Sequence, residues 1–253
     1  MPPAAWSSYS IESSVKLSLI SPTYNEAENV RRLMEETGEC LRGVDYELII
    51  CDDDSPDQTW QVVANLAKTN PRLKLLRRES DRGLTRSVMD GFRIASGDIV
   101  GCIDADLQHD PIILPQMLEA MSQGADLVVG SRYVRGGSTG NWKWVRSVGS
   151  WAATKLAQWT LGVTIHDPLS GYFMLRRDDF LRISQQMRGS GFKILLEIVA
   201  HCGPCRVQEI PYTFRRRVAG TSKLTRRIVL AYLIQLWELR SGKRAGSQVR
   251  EFQ

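Results

Sequence analysis

Short apolar runs alternate along the first half of the chain with longer stretches whose apolar residues recur at helical spacing. Residues 16–21 read as a strand, and 26–41 as a helix for which Asn25 is the expected N-cap. Residues 46–51 form a second strand, and the acidic turn Asp52-Asp53-Asp54-Ser55-Pro56-Asp57 leads into a helix over 58–69. The same rhythm gives a strand at 73–77, a helix at 84–95 and a strand at 99–103. Pro111 then opens a helix over 112–121, and 126–130 is a fifth strand. Strands and helices alternating at this spacing predict an α/β domain with a parallel or mostly parallel central sheet and helices on both faces. Such sheets bind ligands beyond the carboxyl ends of their strands.

Past residue 131 the rhythm changes. A glycine-rich loop occupies 132–141, and a helix-like stretch over 142–161 carries Trp142, Trp144, Trp151 and Trp159 among basic residues. Residues 192–201 read as a short apolar helix, 206–214 as a strand and 223–240 as a final helix. With no repeat or linker in sight, the expected organisation is a loose leader at 1–14, one domain over 15–222, and a basic amphipathic helix and tail over 223–253.

Charge sharpens this picture. The net +5 of the 253-residue chain hides a segment, 215–250, with ten Lys/Arg against the single acid Glu238. That segment suits an anionic partner such as phosphate or a lipid surface. No run approaches the roughly 18 apolar residues of a membrane span. The apolar run 228–239 extends only about 18 Å as a helix, too short to cross but suited to lie in a headgroup layer, with the Trp-rich stretch as a second contact. Five scattered cysteines argue for a reducing compartment, and the first residues lack a signal-peptide layout. Cys202-Gly203-Pro204-Cys205 follows a helix and precedes a strand, the reverse of a redox dithiol's setting. Arg215-Arg216-Arg217 has no nucleic-acid fold signature beside it, so no nucleic-acid partner is expected.

The strongest chemical signal follows the fourth strand, which runs into Asp104-Ala105-Asp106-Leu107-Gln108-His109. Carboxylates at the end of a buried strand are costly unless a cation meets them. Alternate acids sharing a hard ion with water and phosphate suit Mg²⁺ or Mn²⁺. Asp52-Asp53-Asp54 falls at the same sheet edge, where acids take the ribose or base of a nucleotide. The chain has neither the dinucleotide nor the P-loop glycine motif, which disfavours dehydrogenases and P-loop NTPases.

These pieces resemble a known group. Ile20-Ser21-Pro22-Thr23-Tyr24-Asn25-Glu26, the 52–59 turn and Asp104-Ala105-Asp106 are similar to segments of GT-A glycosyltransferases that use nucleotide-sugars. Gly130-Ser131-Arg132-Tyr133, the segments 167–173 and 191–194, and 217–224 narrow the likeness to dolichyl-phosphate mannose synthases. It spans about residues 17–239, with Asp54 standing where the family usually has Gly. The resemblance implies a GT-A, Rossmann-like fold and transfer of mannose, with inversion, from GDP-mannose to dolichyl or another polyprenyl phosphate. Another donor such as UDP-glucose, or a non-catalytic nucleotide- or lipid-binding subunit, are the competing readings. Pro22, Tyr24, Glu26 and Asp53 are then expected around the base and ribose. Asp104, Asp106 and Gln108 would hold the divalent metal. Arg132, Arg146, Arg217 and Lys223 would meet phosphate, while Asp167 and Ser170 would lie near the sugar, with Ser170 also on the acceptor side. The catalytic set is Asp104, Asp106, Arg132 and Asp167. A cytoplasmic protein held peripherally on the cytosolic face of the ER or plasma membrane follows, with room for a membrane-anchoring partner subunit. A phosphate acceptor is already ionised near pH 7, so no general base is expected, and His109 reads as a polar loop residue.

Overall fold

The computed structural model describes residues 15–142, 144–189, 193–216, 226–242 and 250–251. The expected leader, Gly191, Phe192, Arg217 and Lys223 lie outside the described residues. Five strands fall close to where the apolar runs place them: β1 (Leu17–Thr23), β2 (Tyr46–Asp52), β3 (Leu73–Arg77), β4 (Ile99–Cys102) and β5 (Leu127–Ser131). Between them lie α1 (Val30–Cys40), α2 (Thr59–Ala67), α3 (Leu84–Ile94) and α4 (Leu114–Ser122), the last preceded by a 3₁₀ turn at Pro111–Ile113. Then come α5 (Trp144–Leu161), β6 (Phe173–Arg176), α6 (Arg177–Ser184), α7 (Ile194–His201), β7 (Arg206–Pro211), α8 (Arg226–Gly242) and the short β8 (Arg250–Glu251).

The sheet order is β3-β2-β1-β4-β6-β5-β7-β8. All pairs are parallel except those of β6, which runs antiparallel to both β4 and β5. The sheet is therefore mostly parallel, as expected, with one reversed strand that the apolar pattern did not disclose. Alternating strand residues face opposite ways. Leu48 and Ile50 of β2 pack into the layer covered by α1, α2 and α4, while Ile49 and Cys51 face α3, α6 and α7. In that second layer Phe92 of α3 meets Phe180 edge-on at 4.8 Å and Phe173 at 6.1 Å.

Two expectations need correction. Asn25 does not cap α1, which starts only at Val30. Asn25 instead takes a left-handed turn, φ +59°, and its N–H donates to Ser55 Oγ at 3.0 Å. The Glu26 and Ala27 amides likewise donate to Thr59 and Asp57 (2.9 and 3.1 Å), so this stretch is spent on bracing the β2–α2 turn. The strand expected to reach residue 214 leaves β5 at Pro211, and Thr213 bridges to Ser138 in the glycine-rich loop.

Candidate active site at the carboxyl edge of the sheet

Parallel pairing puts the ends of β1, β2 and β4 side by side, with Thr23 opposite Asp52. Asp52 is fully buried and takes hydrogen bonds from Thr23 Oγ1 and from Ser55 N–H and Oγ (2.9, 2.9 and 2.6 Å), so its task is to shape the turn. Asp53 is paired with the buried Arg78 and accepts from Gly83 N–H at 2.7 Å. A ligand there meets a braced carboxylate with lone pairs to spare. Asp54 adopts φ +52°, which suits the glycine it replaces. Its carboxylate pairs with Arg77 and Arg82, and the hydrogen bond from the Arg77 guanidinium holds it below the usual aspartate range.

Beyond β4 the chain makes a tight acidic loop. Leu107 is buried at φ +61°, a strained conformation for a branched side chain, and the bend lets Gln108 N–H donate to Asp106 Oδ1 at 3.1 Å. The Gln108 amide donates to Arg215 O at 3.1 Å, and Arg215 N–H returns a bond to Gln108 O at 2.9 Å. Arg215 also bridges Glu36 and Asp110 at 2.7 and 2.5 Å, tying the acidic loop to the segment after β7. Asp104, the more exposed of the two acids, lies against Gly171, where a Cβ would sit 3.1 Å from both carboxylate oxygens. Only glycine leaves that approach open.

Among the described residues no three His, Cys, Asp or Glu side chains converge on one point. A hard divalent ion that takes its remaining ligands from diphosphate and water needs only one or two carboxylates. The pair Asp104 and Asp106, with the amide oxygen of Gln108 as a neutral donor, fits that chemistry.

His109 is not the polar loop residue that was expected. It is buried, stacks on Tyr172 (centroids 5.2 Å apart) and meets Tyr212 and Phe214 edge-on at 5.7 and 5.6 Å. Burial drives its pKa down to about 3, so the ring is neutral, and Nδ1 accepts from Asp104 N–H at 3.1 Å. Its ring thereby orients the acidic loop.

Arg132 follows β5 and sits over the rings of Phe214, Trp142 and Tyr133 at 5.4, 5.2 and 5.4 Å. The fully buried Asp167 grips its guanidinium bidentately, 2.7 Å to each oxygen, and accepts Arg132 N–H at 3.0 Å. Burial opposes the charge on Arg132, and Asp167 outweighs it, so the guanidinium is held even more firmly protonated than a free arginine. Asp167 is itself set by Glu209 of β7, which accepts from its N–H at 3.1 Å. Arg146 of α5 lies 4.0 Å from the Trp142 ring centre, so one indole carries both guanidiniums. Trp142 Nε1 and Tyr212 Oη are buried donors with no hydrogen-bond partner among the described residues. Unspent donors beside two guanidiniums suit an oxyanion.

Residues 18–183 match the profile of Glycosyl transferase family 2. The chain belongs to that family. As a family 2 transferase it is 40% identical over 227 residues to a dolichol-phosphate mannosyltransferase of Pyrococcus furiosus, covering 89% of this chain and 64% of that protein. It is 34% identical to the dolichol-phosphate mannosyltransferase of Saccharomyces cerevisiae, covering 89% of this chain and 87% of that one. In fold it resembles a mannosyltransferase of Pyrobaculum calidifontis solved with GDP-Man and Mn²⁺: TM-score 0.65, 20% identity, covering 91% of this chain and 65% of that chain. The family 2 fold is thus of the GT-A kind.

Of the expected site residues in this family 2 transferase, Pro22, Tyr24 and Glu26 line the exit of β1, with Tyr24 exposed. Asp167, expected near the sugar, has its carboxylate engaged by Arg132. Ser170, expected there and on the acceptor side, is buried with its hydroxyl donating to Gly130 O at 2.7 Å, where it holds the turn into β6. Lys193 was missed. Burial pushes its ammonium below the usual lysine value, Arg132 adds to this, and Asp104 and Asp167 oppose it, which places a cation within the field of the acidic loop. Its presence in the motif 191–194 was the available signal. Tyr212 and Phe214, which enclose His109, were likewise read only as part of a strand.

Outside this edge, α5 and α8 form an apolar face. Tyr232 Oη donates to Ala153 O at 2.6 Å, and Arg240 lies 5.3 Å from the Trp159 ring centre, joining the two helices. Trp144, Trp151, Trp159 and Trp237 are 75, 55, 75 and 69% exposed, as are large parts of Leu230, Leu233 and Ile234. Trp142, by contrast, belongs to the site. No helix among the described residues is long and apolar enough to cross a membrane.

Proposed function

We propose that this family 2 transferase moves mannose from GDP-mannose to the phosphate of dolichol or another polyprenol, with inversion, while resting on the cytosolic face of a membrane. The observation that carries this reading is the pair Arg132 and Arg146 on the Trp142 indole, with Arg146 on the same helix, α5, as the exposed Trp144, Trp151 and Trp159. The names of the Pyrococcus and Saccharomyces relatives point the same way.

In this reading Pro22, Tyr24 and Glu26 take the guanosine, and Asp53, braced by Arg78, presents a fixed wall to the base. Asp104, Asp106 and Gln108 would hold Mg²⁺ or Mn²⁺, whose charge would offset that of the departing diphosphate. Lys193 adds a second positive charge on that side. The acceptor phosphate is mostly dianionic near pH 7, so its oxygen attacks without a base. What it needs is relief from repulsion by the donor. Arg132, immobilised by Asp167, and Arg146 supply it. Trp residues of α5 and apolar residues of α8 settle at headgroup depth and bring the prenyl chain to this edge. A membrane-anchoring subunit is compatible with the same face.

The test is incorporation of radiolabelled mannose from GDP-mannose into dolichyl phosphate in vesicles with Mn²⁺, beside UDP-glucose as competitor donor. Labelled prenyl phosphate formed only from GDP-mannose is expected. Turnover of UDP-glucose alone, or none with either donor, sinks the proposal.

A further inference from the structure

The outward face of α8 is apolar, and its inward stripe of Tyr232, Leu236 and Leu239 packs in the core. Gln235 interrupts that inward stripe. It is 2% exposed, and a buried amide costs free energy unless both its ends find partners. Its Nε2 donates to Lys193 O at 3.0 Å, and its Oε1 accepts Lys193 N–H at 3.4 Å. The pair is a side-chain imitation of a strand ladder across 42 residues of sequence. Lys193 is the residue before α7, so its backbone direction sets where the side chain leaves the helix end. That side chain lies in the field of Asp104, Asp167 and Arg132.

We infer that Gln235 is a positioning residue: it latches α8 to the backbone of Lys193, so that the seating of the apolar helix on a membrane and the placement of a site cation are one mechanical event. The inference rests on the proposed function for the identity of the donor, but the latch itself does not. An apolar residue in place of Gln235 would pack as well against Leu239 and would remove both bonds to the Lys193 backbone. Misplacement of a reacting or binding group by about 1 Å costs up to roughly a hundredfold in rate.

The experiment uses the full chain on phosphatidylcholine–phosphatidylserine vesicles, with Gln235→Leu, Gln235→Met, Lys193→Met and the Lys193→Met/Gln235→Leu double variant. The first readout is hydrogen exchange of peptides covering 194–201, which needs no substrate. Both Gln235 variants should lose protection there while floating with vesicles as the wild type does. Unchanged protection overturns the latch, whatever the enzyme's substrate. The second readout is kcat/KM for GDP-mannose. Gln235→Leu should lower it about ten- to a hundredfold, and the double variant should be no worse than Lys193→Met alone. Additive losses overturn the coupling to Lys193. Lost protection with no wild-type turnover of GDP-mannose retains the latch and discards the donor assignment instead.

Discussion

Replacing Asp167 by Asn keeps the shape of the side chain and removes its charge, leaving the Arg132 guanidinium buried without its counter-ion. The side chains of Asp167 and Arg132 are 0 and 9% exposed, so water cannot take the place of the lost carboxylate. Breaking a buried ion pair from one side costs about 3–5 kcal/mol. For a domain of this size each kcal/mol shifts the melting temperature by about 2–4 °C, giving a fall of roughly 6–20 °C. Thermal unfolding followed by circular dichroism measures it directly. Stability and catalysis are then separated by Arg132→Met/Asp167→Leu, an apolar pair of similar volume. It should recover most of the lost stability, as such replacements often do, yet stay inactive toward prenyl phosphate. An Asp167→Asn melting point within about 2 °C of wild type would refute the view that the pair is an obligatory buried one. Turnover by the double variant would refute the role given to Arg132.

Other consequences are as direct. Asp104→Ala and Asp106→Ala should leave the fold intact and abolish the Mn²⁺-dependent part of GDP binding in calorimetry; undiminished metal dependence in both would count against these ligands. Gly171→Ala places a methyl group 3.1 Å from both Asp104 oxygens, so the concentration of Mn²⁺ giving half-maximal turnover should rise while the melting curve barely moves. Glu47 lies under β1, where burial pushes its pKa up but the Lys74 ammonium, the Ser18 hydroxyl and Ser96 prevail and bring it down to about 2. A carboxylate with a depressed folded-state pKa stabilises the protein above its unfolded value, and that stability drains away as pH falls from about 4.5 to 2, up to about 3 kcal/mol in all. Denaturant titrations across that window should show a shallower acid dependence in Glu47→Gln, and an identical slope would contradict the assignment. Finally, Leu233→Glu/Trp237→Glu on the outer face of α8 should reduce flotation with anionic vesicles without altering turnover of a short, soluble prenyl phosphate.

The first five strands were legible because each is a short apolar run closed by turn residues, and the acidic loop because it follows such a run at the binding edge. β6 was not. Its four residues carry no alternation of their own, and the partners that make them a strand, β4 and β5, lie far away in sequence. Distance in sequence also explains the errors about side chains. The ion pair of Asp167 was hidden because its partner, Arg132, is 35 residues off. His109 looked polar and loop-bound because Tyr172, Tyr212 and Phe214 come from other segments to enclose it. Asn25 looked like a cap because the acceptor of its N–H, Ser55 Oγ, lies beyond the next strand. Residue types announced what chemistry was present, whereas the pairing of those residues is decided by topology.

The reversal of β6 has a consequence for how such a protein diversifies. The chain leaves the sheet at the end of β5 and re-enters beside it, where Val129 faces Phe173. Gly130 N–H donates to Tyr172 O at 2.8 Å, and Asp167 clasps Arg132, so the whole detour between them closes on a single stem. Lengthening a loop that is already closed adds little entropic cost, roughly 0.6 kcal/mol per doubling. The detour holding Trp142, Arg146 and α5 is thus a cassette hung from a frame that closes beneath it. Mutation can rewrite what it grips without renegotiating the strands beneath, so long as the seam between Ala153 and Tyr232 still meets.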